Sequence, residues 1–150
     1  MTREPWEFRF ELPGLPPSTN ALYAPVSARG GRGARIIKSQ RGRAWLTGAQ
    51  LALQAAWRRA FGRRQPLSGL PVELRLWFGV ERISSDTSNR IKALEDALTG
   101  IAWCDDCQVV ELVARKAVVS SARVMGVVRI AGGVDVNTQR RIQRAKKARA

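Results

Sequence analysis

The stretch that decides the fold runs from Pro71 to Asp106 and reads PVELRLWFGVERISSDTSNRIKALEDALTGIAWCDD. Its beginning, PVELRLWFGV, alternates apolar and polar side chains, as a strand with one buried face does. Further on, Ile91, Leu94 and Leu98 follow helical spacing, and Gly100 stands where a helix would end. A strand, an amphipathic helix and a short return predict a sheet with helices packed on it.

The flanking segments extend this pattern. Residues 6–12 alternate like a strand, and the apolar residues of 40–60 follow helical spacing. Two β-rich runs, 109–120 and 122–132, meet at a pair of serines and predict a hairpin. We therefore expect an α/β (mixed α+β) fold, with a small mixed sheet, two main helices packed on it, and a short basic helix or tail at the C-terminus.

Length and composition limit the class of protein. The 150 residues fit one domain, and an apolar fraction of 45% is ordinary for a globular chain. The chain has no histidine, which excludes Ser-His-Asp and Cys-His catalysis within it, and also a zinc site built on imidazole. No apolar run is long enough to span a bilayer, and the first residues lack the apolar core of a signal peptide. We expect a cytoplasmic protein without membrane association.

The net charge is +14, from 26 Lys and Arg against 12 Asp and Glu, which favours a polyanionic partner such as nucleic acid. We expect one domain over residues 1–135, with a basic loop at 24–43, followed by a basic C-terminal helix or tail at 136–150. The cations of the loop are Arg29, Arg32, Arg35, Lys38, Arg41 and Arg43. Glycines among them favour a flexible loop that closes over a phosphate backbone, or one that is only solvated.

The C-terminal segment and the cysteines leave alternatives open. Residues 136–150 are either an arm that contacts DNA or a frayed basic tail, with Asn137 or Thr138 near the start of any helix. Cys104 and Cys107 form a lone C-x-x-C, which is a weak signal for redox chemistry or zinc. Partly buried free thiols are the plainer interpretation.

The acids concentrate in one part of the chain. Six of the twelve lie within it, at Asp86, Glu95, Asp96, Asp105, Asp106 and Glu111. Their carboxylates either pair with nearby arginines or hold a divalent cation beside a phosphate, since hard oxygen donors suit Mg²⁺. An RNA- or ribosome-associated protein fits the charge but leaves these acids unexplained.

Two arrangements within the segment bear on these alternatives. Asn89, Lys92 and Asp96 form one polar stripe on the helix. Asp86 precedes the helix and the Asp105-Asp106 pair follows it, so a tight return lets Asp86 and one of the pair share a cation. Alternatively, Asp86 caps the helix and the pair forms a turn.

This segment resembles the RusA-like family of Holliday-junction resolvases, which occur in bacteria and their prophages. The family pattern reads approximately D-x-D-N-x-x-K-x-x-x-D-A-L, a turn of small residues, and an Asp-Asp pair. The chain matches it at Asp86, Asn89, Lys92, Asp96-Ala97-Leu98, Gly100 and Asp105-Asp106. Upstream, PPSTNALY with Pro17, Asn20 and Tyr23 is similar to a second family element. The resemblance covers about residues 8 to 130.

The resemblance implies a homodimeric endodeoxyribonuclease that resolves four-way DNA junctions by paired hydrolysis with Mg²⁺ or Mn²⁺ and no small-molecule cofactor. Residues 1–135 would then be its nuclease domain. By motif position, the catalytic residues would be Asp86, Lys92 and Asp106. The metal ligands would be Asp86, Asp105 and Asp106, with Asn89 as a further candidate, and Asp96 would support them. Asn20, Tyr23 and the cations of the basic loop would contact DNA.

Ser88 departs from the family pattern, because it stands where the second acid of D-x-D-N is expected. A hydroxyl is a weaker cation ligand than a carboxylate. Three outcomes are open: Asn89 or Asp105 takes over coordination, the site holds a single or weakly bound metal, or the protein binds junctions without cutting them. Since the other acids are present, we expect retained activity, with a catalytically weak or inactive junction-binding protein as the alternative.

Overall fold

Strands and helices alternate along the chain in a mixed α+β order. The computed structural model describes residues 6–27, 30–31 and 33–149. Its elements are β1 (Glu7–Pro13), α1 (Thr19–Leu22), β2 (Tyr23–Ser27), β3 (Ala34–Lys38), α2 (Gln40–Phe61), β4 (Val72–Val80), α3 (Ile91–Leu98), β5 (Val109–Val118), β6 (Arg123–Ile130) and α4 (Val136–Arg149). Two short 3-10 turns, Ser88–Arg90 and Asp106–Gln108, precede α3 and β5. The predicted fold class is confirmed.

The main sheet has the strand order β1-β6-β4-β5, in which only β4 and β5 run parallel. The predicted hairpin between β5 and β6 is therefore wrong. The link between them passes the end of β4, where the N–H of Val119 donates to the carbonyl of Val80 at 2.8 Å. As a central strand, β4 pairs along both edges, so β5 takes one edge after the crossover through α3 and β6 takes the other.

Two helices cover one face of the sheet, as the sequence predicts. Alternate residues of β4 point into the core, and α2 contributes Leu53 and Trp57 while α3 contributes Leu94 and Leu98. An aromatic cluster anchors α2 on β1, with the rings of Phe8 and Trp57 5.1 Å apart. The opposite face of the sheet, here called the outer face, exposes Trp77 and Met125, together with arginines of β1, β4 and β6.

The predicted basic loop at 24–43 is not an irregular loop. Residues 24–27 and 34–38 belong to a two-stranded hairpin, in which β2 and β3 pair antiparallel and Tyr23 lies opposite Lys38. Glycines explain the reversal, because Gly30 and Gly31 have positive φ values of 98° and 73° between the strands. Arg29 and Arg32 lie outside the described residues. The hairpin ends at Ser39, whose hydroxyl accepts from the N–H of Gly42 and starts α2.

The C-terminal segment forms α4. Its cap is Asp135, whose carboxylate accepts the N–H groups of Asn137 and Thr138 at 3.0 Å, and these two residues lie near the start of the helix as predicted. The side chain of Ile142 is 4% exposed and fixes α4 on the body of the protein. Among the described residues, no helix has the length and apolar character needed to cross a membrane.

Candidate active site

Lys92 lies at the centre of a charged cluster on α3. Its ammonium lies 2.9 Å from Oδ2 of Asp106 and 3.0 Å from Oδ1 of Asp96. The hydrogen bond to Asp106, reinforced by Asp96, raises the pKa of Lys92 well above its ordinary value against the opposing effect of partial burial. The helix turn sets the Lys92–Asp96 spacing, and the return into β5 brings Asp106 to the other side of the lysine.

The β2–β3 hairpin adds two side chains to this cluster. The ammonium of Lys38 lies 3.6 Å from Oδ2 of Asp96, and the hydroxyl of Tyr23 donates to the same oxygen at 3.4 Å. Burial, and then the charge of Asp96, raises the pKa of Tyr23. A cavity of about 310 Å³ opens here, lined by Lys38, Asp96, Thr99, Asp105 and Asp106. Sequence reasoning grouped Tyr23 and Lys38 with the DNA contacts and did not foresee their convergence on Asp96.

Asp86 lies just before the 3-10 turn that leads into α3, and its carboxylate accepts hydrogen bonds from the start of that turn. Its Oδ1 accepts from the hydroxyl of Ser88 at 2.9 Å and from the Ser88 N–H at 3.1 Å, and its Oδ2 accepts from the side-chain amide of Asn89 at 2.5 Å. The Ser88 hydroxyl is the largest cause that lowers the pKa of Asp86, followed by the backbone N–H of Asn89. Ser88 therefore stabilises the carboxylate form of Asp86 by hydrogen bonding.

Three side chains hold this turn in place, and two of them, Thr19 and Lys116, are distant from it in sequence. Arg90 donates to the carbonyls of Asp86 and Pro16, and the hydroxyl of Thr19 donates to the carbonyl of Asn89 at 2.9 Å. From β5, the ammonium of Lys116 donates to the carbonyls of Ile83 and Ser85 at 2.6 and 3.1 Å. Sequence reasoning missed these groups, because only the fold brings residues from β5 and from the PPSTN segment to the turn.

Asp105 and Asp106 are adjacent but have different surroundings. Asp105 is 8% exposed and forms a capping box with Gln108: its side chain accepts from the N–H of Cys107 at 2.9 Å, and the Gln108 side chain accepts from the N–H of Asp105 at 3.0 Å. The amide of Gln108 also donates to the carbonyls of Leu67 and Leu70. The side chain of Asp106 is 46% exposed. The buried Asp105 thus orders the turn, and Asp106 faces the cavity.

Glu95 is a further acid near the cluster that sequence reasoning left out of the site. Burial raises its pKa, and the charges of Asp106 and Asp96 raise it further while Lys92 acts in the opposite direction. It directly precedes Asp96, and this adjacency was the only available signal. The cluster therefore has, next to Asp96, a carboxyl group whose pKa is raised.

The remaining predicted residues lie around the cluster or away from it. Arg43, on the first turn of α2, donates to the carbonyl of Lys38 at 2.7 Å, while Arg35, Arg41 and Asn20 are exposed. Cys104 and Cys107 are both exposed, so the expectation of partly buried thiols is wrong. The turn between them directs Asp105 and Gln108 inward and leaves the sulfurs outside.

A divalent cation is the group that the acids suggest. Aspartate and asparagine oxygens are hard donors of the right chemistry. However, among the described residues no three or more His, Cys, Asp or Glu side chains gather closely enough to hold a metal ion together. The predicted set of Asp86, Asp105 and Asp106 is therefore not brought together, and the ammonium of Lys92 occupies the space beside Asp106.

The fold and the cluster define a basic α+β protein with a lysine–carboxylate cluster beside an open cavity. The family model described as Endodeoxyribonuclease RusA matches residues 13–131. The chain therefore belongs to the RusA endodeoxyribonuclease family, whose members are Holliday-junction resolving nucleases of DNA recombination. A comparison with individually curated proteins found no significant match.

Proposed function

We propose that this protein is a divalent-metal-dependent, structure-selective endodeoxyribonuclease that resolves four-way DNA junctions by paired phosphodiester hydrolysis. The observation that carries the proposal is the position of Lys92 between Asp96 and Asp106, two carboxylates that line an open cavity of a strongly basic protein. A cation flanked by carboxylates is the arrangement expected where a phosphate group must be held and its developing charge stabilised. The family supplies the substrate class.

The roles of the side chains follow from their positions. Lys92 would hold a non-bridging phosphate oxygen with its ammonium, which is charged at all physiological pH values because its pKa is raised. Lys38 would neutralise a neighbouring phosphate, and the exposed Arg35, Arg41 and Arg43 would add positive charge along β3 and the start of α2. Asp96 would be a positioning residue, since it holds Lys92, Lys38 and Tyr23 together.

Mg²⁺ or Mn²⁺, when bound, would supply an activated water and relieve charge at the reacting phosphorus. Asp86 and Asp106 would hold it through carboxylate oxygens, with Asn89 as a further oxygen donor. Asp105, as a buried cap, would set the direction of Asp106. Because Lys92 pairs with Oδ2 of Asp106, the ammonium and a bound cation would share this carboxylate.

We also propose the homodimer that a two-fold substrate requires, and the free edge of β5 supports it. Val110, Leu112 and Val118 on this edge strand are 36%, 43% and 60% exposed, and an uncovered apolar edge favours pairing with another strand. An antiparallel β5–β5 pairing centred on Val113 places Glu111 of one copy opposite Arg115 of the other. The strand is thus complementary in charge to itself.

Oligomeric state tests this interface without reference to activity. Glu111→Arg and Arg115→Glu should each shift the protein to a monomer in light scattering, and the double exchange should restore the dimer. The same exchange of Arg9 and Glu11, on the free edge of β1, is the matched control and should leave the dimer intact. Dimerisation that resists both single changes at β5 would contradict this interface.

A second candidate function is a junction-binding protein that cuts weakly or not at all. It is favoured by Ser88, which lies in place of a second acid and bonds Asp86. A labelled four-way junction titrated with Mg²⁺ and Mn²⁺, with Asp106→Asn alongside, separates the two functions. Paired nicks that disappear in Asp106→Asn support the nuclease, while tight binding without nicks in either metal supports the alternative.

We further propose a cytoplasmic location, and a division into a nuclease domain at 1–135 and a basic segment at 136–150.

A further inference from the structure

A second cavity, lined by basic side chains, lies beside the candidate active site. It measures about 580 Å³ and lies at the C-terminal end of α2. Its lining consists of Gln54, Trp57, Arg58, Gly62, Arg63, Arg64, Gln65, Pro66, Gly100 and Ile101. None of these lining residues is acidic, and three of them are arginines. The cavity therefore offers several cationic and amide donors to one ligand.

The chain direction after α2 fixes these arginines at the cavity. Gly62 ends the helix with a φ of 65°, and its N–H donates to the carbonyl of Arg58 at 2.8 Å. The carbonyl of Arg64 accepts from the indole N–H of Trp57 at 2.8 Å. The guanidinium of Arg64 also lies 6.0 Å from the ring centre of Trp6. The turn is thus anchored to the aromatic core.

A purely structural interpretation is that these cations stabilise the C-terminal end of α2. It suits Arg58, which lies in the last turn of α2 near the negative end of the helix dipole. It does not account for Arg63 and Arg64, which follow the helix. The ion pairs found among the described residues use Arg9, Lys38, Arg75, Lys92 and Arg129, so the arginines of this cavity remain available to an anion.

The cavity and the active site share one stretch of backbone. Thr99 lines the site with Asp96 and Asp106, while the next two residues, Gly100 and Ile101, line the arginine cavity. Gly100 has a φ of 87°, and no atom lies within 4 Å of the position that a Cβ would take there, so the backbone is open at this point. A nucleic-acid strand in the site that follows this backbone meets Arg58, Arg63 and Arg64 next.

We propose that this arginine cavity binds backbone phosphates of the DNA strand that continues beyond the scissile position. The inference rests on the proposed function for its substrate, and adds a binding site on α2 and its following turn. Guanidinium groups bind phosphate oxygens in pairs, and the glutamine amides add neutral donors. Such interactions position the strand and carry no sequence information.

Binding without divalent metal tests the site apart from cleavage. Junction affinity is measured by fluorescence anisotropy in EDTA over a range of salt, for the wild type and for Arg58→Gln/Arg63→Gln/Arg64→Gln. The matched control is Arg9→Gln/Arg75→Gln/Arg123→Gln, which removes the same charge from the outer face of the sheet. Melting temperatures show that both variants fold.

The cavity variant should bind the junction about tenfold or more weakly than the wild type. The slope of log K against log salt should become shallower by about one unit for each phosphate that the variant no longer neutralises. The control variant should stay within about twofold of the wild type. A methylphosphonate placed at single positions along the strand should weaken the wild type at one or two positions, and should have no further effect there on the cavity variant.

Equal losses of affinity in both variants would show that only the net charge matters, and would overturn the inference. Unchanged binding by the cavity variant would also overturn it. In either case the wild type would still bind and cut junctions, so the proposed function would stand. A wild type that binds no DNA would overturn both. A cavity variant that does not fold is replaced by the Arg63→Gln/Arg64→Gln double change, to which the same criteria apply.

Discussion

The ammonium of Lys92 lies 2.9 Å from Oδ2 of Asp106, the more exposed carboxylate of the Asp-Asp pair. The lysine therefore competes with any divalent cation for this oxygen. Lys92→Met should abolish cleavage and, by removing that competitor, raise the affinity for Mn²⁺ several-fold. Calorimetric titration of Mn²⁺ into the DNA-free protein measures the second effect directly. Lys147→Met, on exposed α4, is the control for loss of one positive charge. Unchanged or weaker Mn²⁺ binding in Lys92→Met would argue that the cation does not contact Asp106.

The two adjacent aspartates should respond in opposite ways to substitution. Asp105→Ala removes the capping hydrogen bond to Cys107 and should destabilise the protein by about 1 kcal/mol, which lowers the melting temperature by about 2–4 °C. Cleavage below that temperature should persist. Asp106→Ala should change the melting temperature by less than about 2 °C, as surface changes do, and should abolish cleavage. Calorimetry and a junction-cleavage assay on both variants make the comparison, and an inactive but fully stable Asp105→Ala would assign that carboxylate to the chemistry.

The contrast between Asp105 and Asp106 also shows which features of the site can be predicted from the sequence and which cannot. The acid pair and the stripe of Lys92 and Asp96 can be recognised from motif and helical spacing alone. The sequence alone does not show which of the two aspartates is buried. Burial depends on Gln108, whose amide donates to the carbonyls of Leu67 and Leu70, residues far away in the chain.

The same limit explains the incorrect strand prediction. Their β-rich composition identified β5 and β6 as strands, but pairing depends on which edge of β4 each strand takes after the crossover through α3. Local sequence does not encode that choice. Likewise, the cations of residues 24–43 were visible as charge, whereas the pairing of Tyr23 with Lys38, which carries both side chains to Asp96, arises from the glycine turn between the strands.

Lys116 offers a test of whether the turn at Asp86 must be held rigid. Its ammonium bridges the carbonyls of Ile83 and Ser85. Lys116→Met should loosen this loop and lower the cleavage rate about tenfold while junction affinity changes little, and Lys116→Arg should restore much of the rate. Hydrogen exchange should accelerate at residues 81–86 in Lys116→Met alone. The Lys147→Met variant again controls for charge. Equal losses of binding and rate would instead indicate that Lys116 contacts DNA.

Glu95 predicts a pH dependence of stability with a defined sign. Its pKa lies above the ordinary value of 4.5, mainly through burial, so the fold favours the protonated form. The favourable contribution is complete below pH 4.5 and is lost as the pH rises through the folded pKa, which leaves a penalty at neutral pH. Glu95→Gln, which cannot ionise, should therefore melt above the wild type at pH 7, and the difference should shrink towards pH 4. Glu81→Gln, on an exposed loop, is the matched control and should show no such trend. A Glu95→Gln variant that melts below the wild type at pH 7 would show that pairing of Glu95 with Lys92 outweighs burial.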